Sequence, residues 1–147
     1  MKRFDGEAPI LPRERNDCTV HALMNSLRID YDTAYRIAEF AGRKQYGMAY
    51  SSEVIRSANL KFPGSFIQVP DSKDWMMKSL SRFVDRHPVG RFYLSCNGHA
   101  IALIDGTVID TTSQYRQPGV CIRGAWVVKS SWIGTIDDVI SKPVEDF

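Results

Sequence analysis

The groups able to do chemistry in this 147-residue sequence are three cysteines, three histidines and a scatter of carboxylates. An odd number of thiols argues against a disulfide framework, which wants pairs and an oxidising compartment. One thiol stands apart by position. Cys18 follows Asn16 and Asp17, either of which can cap a helix, and Val20, Leu23, Met24 and Leu27 continue at helical spacing. A thiol on the first turn of a helix meets unpaired N–H groups and the positive end of the helix dipole, and both favour the thiolate. His99 is the candidate base and Asp110 its candidate partner, because an imidazole beside a carboxylate is held in one tautomer. A nucleophilic thiol, a base and a carboxylate that orients the base are the parts of a thiol hydrolase.

Two kinds of element must position these groups. Residues 1–15 read as an irregular arm, since Pro9 and Pro12 exclude a helix interior. The first helix starts at Asn16-Asp17. A second follows Asp30 or Asp32, with Ala34, Ile37, Ala38 and Ala41 as its inner stripe and Gly42 as its stop. Residues 43–50 are a loop, Ser51-Ser52 caps a short helix to about Ala58, and residues 66–69 make a short strand. A longer helix is expected from Lys73 to Arg86, with Ser72 as its cap. After Gly90 the period changes to two. Strands are expected over 91–96, 99–104 and 107–111, separated by the hairpin signals Asn97-Gly98 and Asp105-Gly106. A further strand lies near 125–129. Leading helices packed on a C-terminal antiparallel sheet define an α+β fold. The whole chain, 1–147, is read as a single domain, with 131–147 as a C-terminal extension.

Two-residue loops fix the register. Cys96 should oppose His99, Leu94 Ile101, and Phe92 Leu103; across the next turn Ile104 should oppose Thr107, Ile101 Asp110, and His99 Thr112. One face then carries Phe92, Leu94, Cys96, His99, Ile101, Leu103, Val108 and Asp110, mostly apolar and expected to meet the helices. His99 and Asp110 are diagonal neighbours on it, and a slip of one residue would separate them.

The stretches Arg15-Asn16-Asp17-Cys18-Thr19-Val20-His21-Ala22-Leu23, Tyr31-Asp32-Thr33-Ala34-Tyr35, Ala41-Gly42-Arg43-Lys44, Gly98-His99-Ala100 and Val108-Ile109-Asp110 resemble a known family. It is that of the small papain-like cysteine peptidase homologues of bacteria and their viruses. These are similar to bacteriocin-processing peptidase domains, which also place an Asp before the Cys. The resemblance covers residues 13–112. It implies a papain-like fold in which Cys18 is the nucleophile, His99 the base and Asp110 the residue that orients it, with no cofactor. Two positions depart from the pattern. Thr19 stands where the peptidases usually have Gly, and the arm 9–15 lacks the upstream Gln whose amide helps build the oxyanion hole. Asn16 is the nearest side-chain amide and is expected to stand in, beside the Cys18 backbone N–H.

The expected activity is hydrolysis or acyl transfer on a peptide or isopeptide-like bond of a peptide or protein substrate. A binding protein on the same fold, holding a host factor without turnover, is the rival from another class. A third reading is a zinc-stapled domain: Cys18-Thr-Val-His21 and Cys96-Asn-Gly-His99 are both C-x-x-H pairs. Their separation is far from finger spacing. Cys96 also fits a strand-end core position, Cys121 a loop thiol, and His21 a packing or surface position. With 19 Lys+Arg against 17 Asp+Glu, the net charge of +2 is too near neutral for a nucleic-acid binder. No apolar run spans a bilayer and no apolar segment follows the charged start, so a cytoplasmic protein is expected, in the host cytoplasm if virus-encoded.

Overall fold

Cys18 opens helix α1 (Cys18–Leu27), and the chain reverses through Arg28, held at φ 59°, into α2 (Tyr31–Phe40). The computed structural model describes residues 16–45, 47, 49–70, 79–110 and 119–129. The expected arm 1–15, the start of the helix expected at 73 with its cap Ser72, Thr112 and the extension 131–147 lie outside the described residues. Asp30 caps α2, its carboxylate accepting the Thr33 N–H at 2.7 Å. Gly42, at φ 106°, ends it as expected. Its N–H bonds the Glu39 carbonyl, and the Arg43 N–H bonds that of Ala38. This paired closure needs a left-handed residue, which glycine adopts without strain.

Helix α3 (Ser51–Lys61) differs from expectation at both ends. Its N-cap is Tyr50 and no side chain caps it; Ser51 Oγ instead shares a 2.9 Å hydrogen bond with the Tyr93 hydroxyl, and the helix runs three residues past Ala58. Strand β1 (Phe66–Gln68) follows. Helix α4 (Leu80–Arg86) begins only after Ser79, whose backbone is extended and bridges Cys121, so the helix expected from Lys73 to Arg86 does not run unbroken. Strands β2 (Arg91–Cys96), β3 (His99–Ile104), β4 (Thr107–Ile109) and β5 (Ile122–Val128) complete the chain's regular structure among the described residues.

All strand pairs are antiparallel, in the order β1-β5-β2-β3-β4. The β2–β3–β4 meander is the expected one, but β5 crosses back to pair with β2 rather than extending it. The hairpin register holds: Cys96 faces His99, Leu94 Ile101, Phe92 Leu103 and Ile104 Thr107. Pairing of β3 with β4 runs as far as Ala102–Ile109, and the same register carried one step on brings Ile101 to Asp110. At the Asp105-Gly106 turn both φ values are positive, 47° and 80°, as a twisted two-residue hairpin requires. At Asn97-Gly98 only Gly98 is, at 71°.

Both faces of the sheet are buried. Helices α1, α2 and α3 cover one face, where Leu23, Leu27, Ile37 and Val54 pack with Tyr93, Ala100 and Val128. On the other face Leu80 and Phe83 of α4 pack with Phe92, Leu94, Ile101, Leu103 and Ile122. The residues alongside His99 therefore meet α4, not the helix bearing Cys18. This corrects the single helix-facing side expected from the sequence: with helices on both sides, strand alternation separates two cores instead of core from solvent.

The β3–β4 register depends on Gly106. A Cβ there would meet nothing closer than Val84 Cγ1 at 3.5 Å, so space is adequate and the left-handed backbone is the constraint. Gly106→Val is expected to lower stability by ~1–2 kcal/mol, while Gly106→Asn costs much less because Asn tolerates that conformation. Urea unfolding midpoints at unchanged slope provide the comparison. Equal losses in the two variants would contradict the turn.

Candidate active site

The site lies where β2 turns into β3. His99 is the first residue of β3, and Asp110 follows β4 directly. The His99 Nε2 lies 2.8 and 2.9 Å from the two Asp110 carboxylate oxygens. Asp110 is 2% exposed and His99 largely covered, so the pair is shielded from competing water. Cys18, buried at the first turn of α1, is hydrogen-bonded to the same imidazole. Because Nε2 is committed to Asp110, Nδ1 is the nitrogen left for the sulfur. The structure thus brings Cys18, His99 and Asp110 together.

Electrostatics follow from this placement. Burial by itself would lower the His99 pKa, but the hydrogen bonds to Asp110 and Cys18 outweigh it and push it up to about 9. A group whose folded pKa is raised stabilises the fold most below its unfolded value. His99 therefore contributes stability that is whole below about 6.5 and lost as the pH rises through about 9. Cys96 is the opposite kind of thiol. Burial, and then the charges of Asp110, Cys121 and Cys18, push it up to about 12, which keeps it protonated and unreactive at neutral pH.

The start of α1 is built differently from the sequence expectation. Asp17 occupies the N-cap position, yet its carboxylate makes no capping bond. It is 2% exposed and accepts from the Tyr31 hydroxyl at 2.9 Å, with His21 Nε2 at 3.1 Å. His21, expected from the sequence at a packing or surface position, has Asp17 as its carboxylate partner, at the i,i+4 spacing that places two side chains on one helix face. Buried Arg43 completes the anchor, donating to the Asn16 carbonyl at 3.3 Å with its guanidinium 5.1 Å from the Tyr35 ring centroid. The Asp-x-x-x-His spacing was a usable signal; the contributions from Tyr31 and Arg43 depend on how α2 packs.

Asn16 sits at φ 58° and is exposed, with its carbonyl tied to Arg43. Like Cys18, it is not among the residues lining the neighbouring cleft, and its backbone is left-handed. That cleft, of about 340 Å³, is bounded by Thr19, Tyr50, Ser51, Ser95, Cys96 and His99. The zinc set is not assembled. His21 is turned to Asp17, and among the described residues no three His, Cys, Asp or Glu side chains are placed to share a metal ion. Nor, among the described residues, is any helix long and apolar enough to cross a membrane. No family model, curated protein or solved structure matches this chain.

If the left-handed backbone is the contribution of Asn16, glycine can replace it. Asn16→Gly is expected to keep both stability and Cys18 reactivity toward esters, and Asn16→Ala to lose ~1 kcal/mol of stability. Thermal unfolding and ester acylation of the two variants provide the check. An acylation loss of about 10²–10³ in Asn16→Gly would instead make the amide an oxyanion donor.

Proposed function

We propose that this chain is a papain-like cysteine hydrolase or acyl transferase acting on a peptide or isopeptide-like bond. The observation that carries the reading is the single imidazole of His99, bonded on one side to the Asp110 carboxylate and on the other to the Cys18 thiol. Each contact has a use in the chemistry. Asp110 keeps the His99 Nε2–H in place, which leaves Nδ1 to take the thiol proton. The imidazolium so formed is stabilised by the same carboxylate, in keeping with the raised pKa.

The sulfur of Cys18 attacks the carbonyl carbon, and the carbonyl π pair moves to oxygen. Collapse of this intermediate breaks the C–N bond, and His99 gives its proton to the departing amine. Water, or an acceptor amine in a transferase, then attacks the thioester with His99 again as base, and the Cys18 thiol is restored. Every step uses groups of this chain, the substrate and its acceptor. A second reading, a cleft that binds a protein partner without turnover, draws support from the absence of an upstream Gln and from the 6% exposure of Cys18.

The two readings part on covalent chemistry. A panel of N-capped peptidyl p-nitrophenyl esters should release p-nitrophenol in a burst, with the acyl mass located on Cys18 by mass spectrometry. Cys18→Ala should abolish the burst, and His99→Ala should slow it about 10²–10⁴-fold. An acyl group found on Cys96 or Cys121, or a burst retained by Cys18→Ala, would overturn the assignment; a wild-type protein that is never acylated favours the binding reading.

A further inference from the structure

Attack by a thiol on a carbonyl places negative charge on an oxygen that needs hydrogen-bond donors aimed at it. The sequence candidate for a side-chain donor, Asn16, does not line the cleft. The residue immediately after the nucleophile does. Thr19 is 1% exposed, bounds the same cleft as His99, and its buried Oγ1 has no hydrogen-bond partner among the described residues. We infer that the Thr19 hydroxyl is a donor to the substrate oxyanion, an inference that rests on the acyl-transfer reading above.

The position in the helix explains why this hydroxyl is unengaged. A helical Ser or Thr usually satisfies its hydroxyl on the carbonyl four residues earlier, and Ser26 of the same helix does so with Ala22 at 2.6 Å. Thr19 is the second residue of α1, so the residue four before it lies outside the helix. An unsatisfied buried hydroxyl is costly to the fold and calls for a partner that arrives from elsewhere. The cleft is lined by Thr19, the residue after Cys18, and by His99, the imidazole that Cys18 shares with Asp110; for a carbonyl attacked there, the group that develops acceptor strength is its oxygen. Ser51, another hydroxyl on the cleft wall, is already engaged with Tyr93.

The acylation step defines the test. The Cys18 S–C bond forms and the carbonyl π pair becomes the oxyanion that Thr19 donates to. The bond to the leaving p-nitrophenolate then breaks as the C=O is restored. Alkylation by iodoacetamide also forms an S–C bond at Cys18, with loss of iodide, but it generates no oxyanion. Thr19→Val keeps the shape and removes the hydroxyl; Thr19→Ser keeps the hydroxyl. For Thr19→Val we expect ester acylation of Cys18 to fall about 10²–10³-fold. Its iodoacetamide rate should match wild type and its thermal midpoint should be equal or higher, while Thr19→Ser acylates within a few-fold of wild type.

Equal acylation by Thr19→Val and wild type would overturn the inference. So would a parallel fall in acylation and alkylation, which would place Thr19 with the thiol and not the oxyanion. Should wild type alkylate at Cys18 yet never acylate, the acyl-transfer reading falls and the inference falls with it, an outcome distinct from a defect seen only in the variant. A lowered thermal midpoint in Thr19→Val would show that the hydroxyl has a partner within the fold, and would overturn it too.

Discussion

His99 has to meet a carboxylate from its own hairpin and a thiol from a helix packed on the opposite face of the same sheet. That double contact constrains the rest of the structure. It places His99 at the first residue of β3, at the end of the sheet, where a side chain of one face can reach a helix of the other. It requires the β3–β4 register to place Asp110 beside it, which the positive φ angles at Asp105 and Gly106 secure. It also requires α1 to be held firmly against the sheet. Arg91 of β2 does this at the far end of the helix, bonding the carbonyls of Asn25 and Ser26. The buried cluster of Asp17, His21, Tyr31 and Arg43 does it at the near end.

That cluster exchanges local helix capping for tertiary anchoring. A side-chain cap at Asp17 would contribute ~1 kcal/mol. The carboxylate instead bonds Tyr31 of α2 and His21 one turn along, which couples the orientation of α1 to its neighbour. Burying such groups costs free energy unless they are paired, and the bonds from Tyr31 and His21 to Asp17 offset part of that cost. One consequence is that Asp17, at the N-cap position of the helix that Cys18 opens, makes no side-chain capping bond.

Much of this was legible before the structure, because hairpin chemistry and strand alternation are local. Asn97-Gly98 and Asp105-Gly106 were enough to pair Cys96 with His99 and Ile104 with Thr107, and hence to bring Asp110 to His99. Asp30 and Gly42 marked the ends of α2 by the same local logic. What was missed is tertiary. Asp17 reads as a cap unless the position of Tyr31 is known, and Ser51 reads as a cap unless Tyr93 lies above it. The place of β5 beside β2 and the coverage of the sheet on both faces are set by packing between distant segments. Alternation along β2 and β3 showed which residues share a face, and not which helix each face receives.

The proposed chemistry depends on one imidazole held between Asp110 and Cys18. Its most direct measurement is the NMR titration of the His99 ring in wild type and in Asp110→Asn. The expected wild-type midpoint is about 9, with a clear fall in the variant toward or below the ordinary 6.5, because burial then meets less opposition. A wild-type midpoint at or below 6.5, or one that Asp110→Asn leaves unmoved, would contradict it.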